Sequence, residues 1–287
     1  MTHPLVSRLT GTPFAKMTGS GNDFVVFDAR DVDGQLVTRP EVIQAICNRH
    51  NGIGADGIVL IEPKPDGADA RIHYFNSDGS AADLCGNATL CSTAMAVELE
   101  LGSADALSLW TDAGLIHSRI SQGTPEIDLE PVRKVSAAAD IELEAGEIRI
   151  GFAVAGVPHL VVLCDDVAAI DVARRGAQLR RHPWTGPPGA NVNFVSRRGD
   201  VGWRYRTFER GVEGETLACG TGSIAAAILL VTWNLDGSPV ELWTSSGRMV
   251  TVTLNSDSAA AGAFRPSLRG EGRVVFRGII GEISHPV

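Results

Sequence analysis

Short stretches in which apolar and polar residues alternate give way, twice, to a long segment that is apolar on every side. Ala70-Arg-Ile-His-Tyr-Phe-Asn76 alternates and is rich in β-formers, which predicts a strand, and Asn76-Ser-Asp-Gly79 predicts a turn after it. The run over residues 86–101 then reads as a mostly apolar, buried helix stopped by Gly102. The second half repeats the order. Residues 203–209 form a strand pattern, and residues 220–231 read as a helix so apolar that it must lie in a core. A central helix wrapped by strands is the unit this predicts. Each domain is then α/β (α+β), with antiparallel pairing across short connections.

The two halves match beyond this pattern. Gly21-Asn-Asp-Phe-Val-Val and Asp31-Val32 reappear as Gly156-Val-Pro-His-Leu-Val and Asp166-Val167, and Gly54-Ala-Asp56 reappears as Gly189-Ala-Asn191. Cys85 and Cys219 fall at nearly the same offset. Glycine and aspartate are common, but several anchors at one spacing make chance a poor account. The spacing is far longer than the roughly 20–50 residues of a solenoid repeat. It predicts two pseudo-symmetric domains from an internal duplication, residues 1–130 with a C-terminal strand near 275–287, and residues 131–274. A linker rich in Pro, Glu and Ala is expected over 124–146, with the boundary near Pro131. The run over 272–280 is expected to return and pair with the first domain.

At 287 residues, 44% hydrophobic and 21% charged, the composition is that of a soluble globular protein with room for two cores. The net charge of −9 argues against nucleic acid or an anionic membrane as partner. No uncharged apolar run reaches membrane-spanning length, and the first residues lack the apolar core of a signal peptide, so a cytoplasmic location is expected. The five cysteines are odd in number and contain no CxxC pair, which points to neither a disulfide framework nor a metal site. Cys47, Cys91 and Cys164 read as buried structural residues.

Cys85 and Cys219 have a different context. Each follows a strand and a polar turn, precedes a glycine, and opens an apolar helix. The amides after each cysteine (Gly86, Asn87, Gly220, Thr221) have no intrahelical partner and favour negative charge nearby. Both thiols are therefore expected to have lowered pKa values, and the same amides can hold a substrate carboxylate. One thiolate removing an α-proton and one thiol returning a proton to the opposite face would invert Cα without a cofactor. No lysine sits in an obvious Schiff-base context, and Gly19-Ser-Gly21 is too weak for a nucleotide motif. A redox pair and a single nucleophilic cysteine are the rivals, and the matched contexts favour an acid/base pair. Glu209-Arg210 reads either as an exposed ion pair or as a clamp for a carboxylate. Arg210 and Asn76 each lie nine residues before their cysteine, which places both near the cleft. His159, whose counterpart is Phe24, is either a satisfied core histidine or a residue that tunes a thiol. Asn22 and Asn191 either form turns or bind substrate.

Taken together, Lys16-Met-Thr-Gly-Ser-Gly-Asn22-Asp-Phe24, Gly52-Ile-Gly-Ala-Asp56-Gly57, Phe75-Asn76-Ser-Asp-Gly-Ser80, Cys85-Gly-Asn87, Pro158-His159, Asn191, and Glu209-Arg210-Gly with Gly214-Glu-Thr-Leu-Ala-Cys219-Gly-Thr-Gly222 resemble the diaminopimelate epimerase family over nearly the whole chain. The resemblance implies a PLP-independent isomerase that interconverts L,L- and meso-diaminopimelate in lysine and peptidoglycan precursor synthesis. It implies Cys85 and Cys219 as the acid/base pair, and Asn22, Asn76, Asn191, Glu209 and Arg210 as substrate-binding residues. It further implies backbone binding of the reacting carboxylate after each cysteine, His159 and Glu209 as influences on the thiols, and a homodimer inactivated when the two cysteines form a disulfide. No metal or cofactor is implied. Leu90 departs from the arginine usual in the first cysteine motif, and Gly57 and Val157 occupy positions able to carry polar side chains. A racemase or epimerase of another amino acid on the same fold is the alternative. A non-catalytic binding protein would call for a damaged cysteine pair, and both cysteines are intact. A redox switch would make disulfide formation the function itself.

Overall fold

A computed structural model describes residues 5–63, 67–82, 84–256 and 263–283. Residues 284–287 of the expected last strand, residues 1–4 of the amino-terminal segment, and Asp83 of the first cysteine motif lie outside the described residues. The chain forms two compact units, Met1–Ile127 with Glu271–Val287, and Asp128–Gly270.

In the first unit the sheet runs Arg273–Ile279, Pro13–Gly19, Asn22–Asp28, Gly57–Pro63, Ala70–Asn76, Leu107–Thr111, Gly114–Ser121, Thr124–Asp128. Asn22–Asp28 pairs parallel with Gly57–Pro63, because the chain between them crosses over through the helix Pro40–Cys47. Ala70–Asn76 is parallel to Leu107–Thr111 for the same reason, its crossover being the helix Gly86–Glu98. The second unit repeats this plan with Glu147–Ala155, Val157–Cys164, Asn191–Arg197, Trp203–Glu209, Val240–Trp243, Met249–Ser256 and Phe264–Arg269, and its crossover helices are Val172–Arg180 and Gly220–Thr232. Parallel and antiparallel pairs follow in the same order in both units. The expectation of antiparallel pairing therefore holds for hairpins and fails wherever a helix intervenes.

The helices Gly86–Glu98 and Gly220–Thr232 are each packed against strands of their own unit. Their composition explains the burial: alanine, small hydroxyl residues and aliphatics surround each axis, leaving no polar stripe. The first ends at Glu98, short of Gly102, with Leu99 as its cap. The strand Arg273–Ile279 pairs antiparallel with Pro13–Gly19. The segment expected to be a linker is partly ordered into sheet instead. Thr124–Asp128 closes a hairpin on Gly114–Ser121, and Val135–Ser136 pairs with Glu147–Ala155.

Candidate active site

Each cysteine is the N-cap of its helix, and the two have the same backbone conformation, φ −130° and ψ 114°. The match extends one turn further. The Cys85 carbonyl accepts from the Thr89 amide and hydroxyl, each at 2.9 Å, and the Cys219 carbonyl accepts from the Ser223 amide and hydroxyl, each at 2.9 Å. Neither cysteine side chain caps its helix, so the first amides stay directed at whatever occupies the helix end.

Around Cys85 a polar network fixes the first half-site. The Asp56 carboxylate accepts from Asn22 Nδ2 at 3.1 Å, and Asn87 Nδ2 in turn donates to Asn22 Oδ1 at 2.5 Å. Arg49 donates to both Asp56 and Asp23, and buried Lys16 pairs with Asp23 at 2.7 Å and donates to the Gly54 carbonyl. Burial would raise the Asp23 carboxyl, but Arg49 and Lys16 outweigh it and hold it at about 2. Tyr74 lies beside Cys85 and donates from its hydroxyl to Asn76 Oδ1 at 3.0 Å; burial first, then Cys85, pushes its ionisation up. Asn76 also donates to Ser80 Oγ at 3.0 Å, so its side chain is engaged in the turn.

The second half-site is drier. Cys219 is only 6% exposed. Burial pushes its thiol well up, the adjacent Glu209 carboxylate adds to this, and Thr221 and the Gly222 amide pull weakly the other way. The Cys219 sulfur lies 3.6 Å from Thr221 Oγ1. Glu209 accepts from the Thr216 hydroxyl, and its own carboxyl is raised by burial, offset in part by Thr216 and Cys219. The Tyr205 hydroxyl lies 3.3 Å from the Cys219 carbonyl. The helix can come this close because of Gly222, whose absent Cβ would lie 2.2 Å from Asn193 Oδ1 and 2.3 Å from the Tyr205 hydroxyl.

The family model for diaminopimelate epimerase matches residues 14–135 and 152–264. A diaminopimelate epimerase of Gemmatimonas aurantiaca is 60% identical over 93% of this chain and 98% of its own length. The chain belongs to the diaminopimelate epimerase family. The Hydrogenobaculum diaminopimelate epimerase is 35% identical over 92% of this chain and 97% of its own. A Bacillus anthracis phenazine biosynthesis protein of the PhzF family shares the fold, with a TM-score of 0.71 at 18% identity over 94% of this chain and 98% of that one. Membership of the diaminopimelate epimerase family makes the protein an isomerase of the racemase and epimerase kind.

Within this epimerase-family chain, Cys85, Asn22, Gly86 and Asn87 meet in the first unit, with Asn76 reaching the group through Tyr74. In the second unit Cys219, Gly220, Thr221 and Glu209 meet, and Asn191 joins Arg210 by accepting from its amide at 2.8 Å. Three sequence expectations change. The Cys219 thiol is raised, because desolvation outweighs the helix dipole. Glu209 and Arg210 form no ion pair with each other: Glu209 turns to Cys219 and Thr216, and the Arg210 guanidinium has no protein partner among the described residues. The constant-offset match of Asp56 with Asn191 slips by one, since Phe24 pairs with Gly57 where its counterpart His159 pairs with Asn191. Leu90, where the chain departs from the arginine, is fully buried in the core. Sequence reasoning did not single out Asp56, Arg49, Thr216, Asn193 or the tyrosines as site residues. The available signal was that the chain's only two tyrosines each fall in the strand preceding a cysteine helix.

Proposed function

We propose that this protein interconverts L,L- and meso-diaminopimelate by proton transfer at Cα between Cys85 and Cys219, without a cofactor. The observation that carries the reading is the pair of thiols held as N-caps in one backbone conformation, in a chain 60% identical to a diaminopimelate epimerase. The resting proton belongs on Cys219, where burial and Glu209 disfavour the thiolate. Cys85 is then the base, Cys219 the acid, and the reverse reaction exchanges the roles. Amides of Gly86, Asn87, Gly220 and Thr221 hold the reacting carboxylate and stabilise charge as the α-proton leaves. Asn22, Asn76, Asn191, Glu209 and Arg210 bind the substrate, with Arg210 free to take its distal carboxylate. The product serves lysine and peptidoglycan precursor synthesis, and a thiol pair that must stay reduced suits the cytoplasm.

We also propose a homodimer. Among the described residues the strand Arg273–Ile279 is paired on one side only, and Val275, Phe276 and Ile279 are exposed on it. A second copy laid against this edge would satisfy its open backbone groups and cover those side chains.

The test is deuterium incorporation at Cα from heavy water under reducing conditions, with L,L-diaminopimelate and a panel of other amino acids as substrates. Exchange and inversion with diaminopimelate, abolished in Cys85→Ala and Cys219→Ala, is the expected result. Exchange confined to another amino acid moves the substrate, and exchange with none refutes the reading.

A further inference from the structure

Asn193 is fully buried, and its amide is used completely. Oδ1 accepts from the Tyr205 hydroxyl at 2.8 Å and from the Thr207 hydroxyl at 3.0 Å. Nδ2 donates to the Leu160 carbonyl at 2.9 Å and faces His159 Nδ1 at 3.3 Å. The Leu160 carbonyl can only accept, which fixes the direction of the Asn193 amide. The second Nδ2 hydrogen then points at His159 Nδ1, so Nδ1 carries the lone pair and the ring proton sits on Nε2. Nε2 is buried and has no hydrogen-bond partner among the described residues. A buried N–H left unpaired is uncommon in folded proteins and calls for an acceptor from outside the chain.

The neighbourhood says what that acceptor is. His159 is the register partner of Asn191, which holds the Arg210 amide. The Arg210 charge bears on the imidazole, and no protein group pairs with that guanidinium among the described residues. Among the described residues the Arg210 cation has no anion and the His159 N–H makes no hydrogen bond, the Ala155 carbonyl being the one acceptor that bears on the ring; one ligand group, a carboxylate, would complete both.

We propose that Asn193 is a positioning residue that fixes His159 as its Nε2–H tautomer, and that this neutral N–H donates to a carboxylate oxygen of the bound amino acid without exchanging a proton. The assignment rests on the amino-acid substrate proposed above. Burial first, with Arg210 adding to it and the Ala155 carbonyl opposing, pushes the imidazole down to about 3, so the ring stays neutral at working pH.

Long-range proton–nitrogen correlation spectra of the intact, nitrogen-15-labelled protein test this, with His159 assigned by its loss in His159→Gln. The expected parent spectrum shows an unprotonated Nδ1 and a protonated Nε2, and the Nε2 proton moves when L,L-diaminopimelate is added. Asn193→Asp should shift the proton to Nδ1. Should that variant fail to fold, two others decide: the glutamine amide stands in for Nε2 and the asparagine amide for Nδ1, so His159→Gln should retain about 10- to 100-fold more kcat/KM than His159→Asn. A parent ring protonated on Nδ1, or on both nitrogens, overturns the tautomer. A correct tautomer with no response to ligand and equal losses in Gln and Asn variants overturns the donor role. A parent inactive toward diaminopimelate refutes the epimerase reading, and the tautomer spectrum still decides the part played by Asn193.

Discussion

At Cys219 the thiol meets a carboxylate and almost no water, while Cys85, in the same backbone conformation, is partly open. Glu209→Gln removes the negative charge beside Cys219 and should lower that thiol's pKa, leaving it above the ordinary value because burial is the larger cause. Thiolate absorbance against pH checks the shift, and kcat should fall by about 100-fold or more as the acid's setting is lost. Asp56 exerts a quieter control. A carboxylate can only accept, so it turns Asn22 Nδ2 toward itself and leaves Asn22 Oδ1 to receive Asn87. In Asp56→Asn either end of the amide can face Asn22, and steady-state kinetics should show KM rising by about tenfold with a smaller loss in kcat. The cysteines were legible in the sequence because a glycine and an apolar run after each announce a helix start. Asn193, Thr216 and Tyr205 were not, because their partners are chosen by strand register and by chain returning from elsewhere in the unit. Asn193 meets Leu160 and His159 only through the pairing of Val157–Cys164 with Asn191–Arg197.

The helix Gly220–Thr232 owes its position to Gly222, whose place beside two buried, hydrogen-bonded oxygens admits no Cβ. Gly222→Ala should cost about 2–4 kcal/mol, seen as a lower midpoint of thermal unfolding, whereas Gly237→Ala, which meets nothing within 4 Å, should stay within about 0.5 kcal/mol of the parent. The sequence showed where the elements lie better than how they pair. Alternation located Ala70–Asn76 and Trp203–Glu209, but whether neighbours run parallel depends on what the chain does between them. Equal sequence spacing likewise matched Asp56 with Asn191, whereas Gly57 is the true counterpart, since it pairs with Phe24 as Asn191 pairs with His159. The Pro-, Glu- and Ala-rich composition over 124–146 hid two short strands, because so short a strand needs little β-propensity when a neighbouring strand supplies its partner.

Across the whole molecule, opposite pKa shifts bound the pH range of stability. Asp23 is depressed to about 2 and His159 to about 3, so the stability each contributes is present above its ordinary pKa and is lost as pH falls, from about 6.5 for His159 and about 4 for Asp23. Burial raises the Cys47 and Cys164 thiols to about 12, so their contribution is present below about 9 and is lost as pH rises through 12. Chemical denaturation across pH should trace this dome. His159→Phe, which installs the residue found at its counterpart Phe24, should flatten the slope between about pH 6.5 and 3. At the edge strand, Ile279→Lys should shift light-scattering mass toward the monomer, since a charge there opposes self-pairing without touching the core. The duplication and both central helices were visible in the sequence at this scale, and the strand Arg273–Ile279 joins the first unit from beyond the second in the chain. That strand also bears on the order of assembly. Residues 273–279 leave the ribosome after 128–270, so the second unit has all its strands before the first receives the one that lies against Pro13–Gly19. The half that is synthesised first is the half that is finished last, and until then Pro13–Gly19 stands as an unpaired edge on the nascent chain.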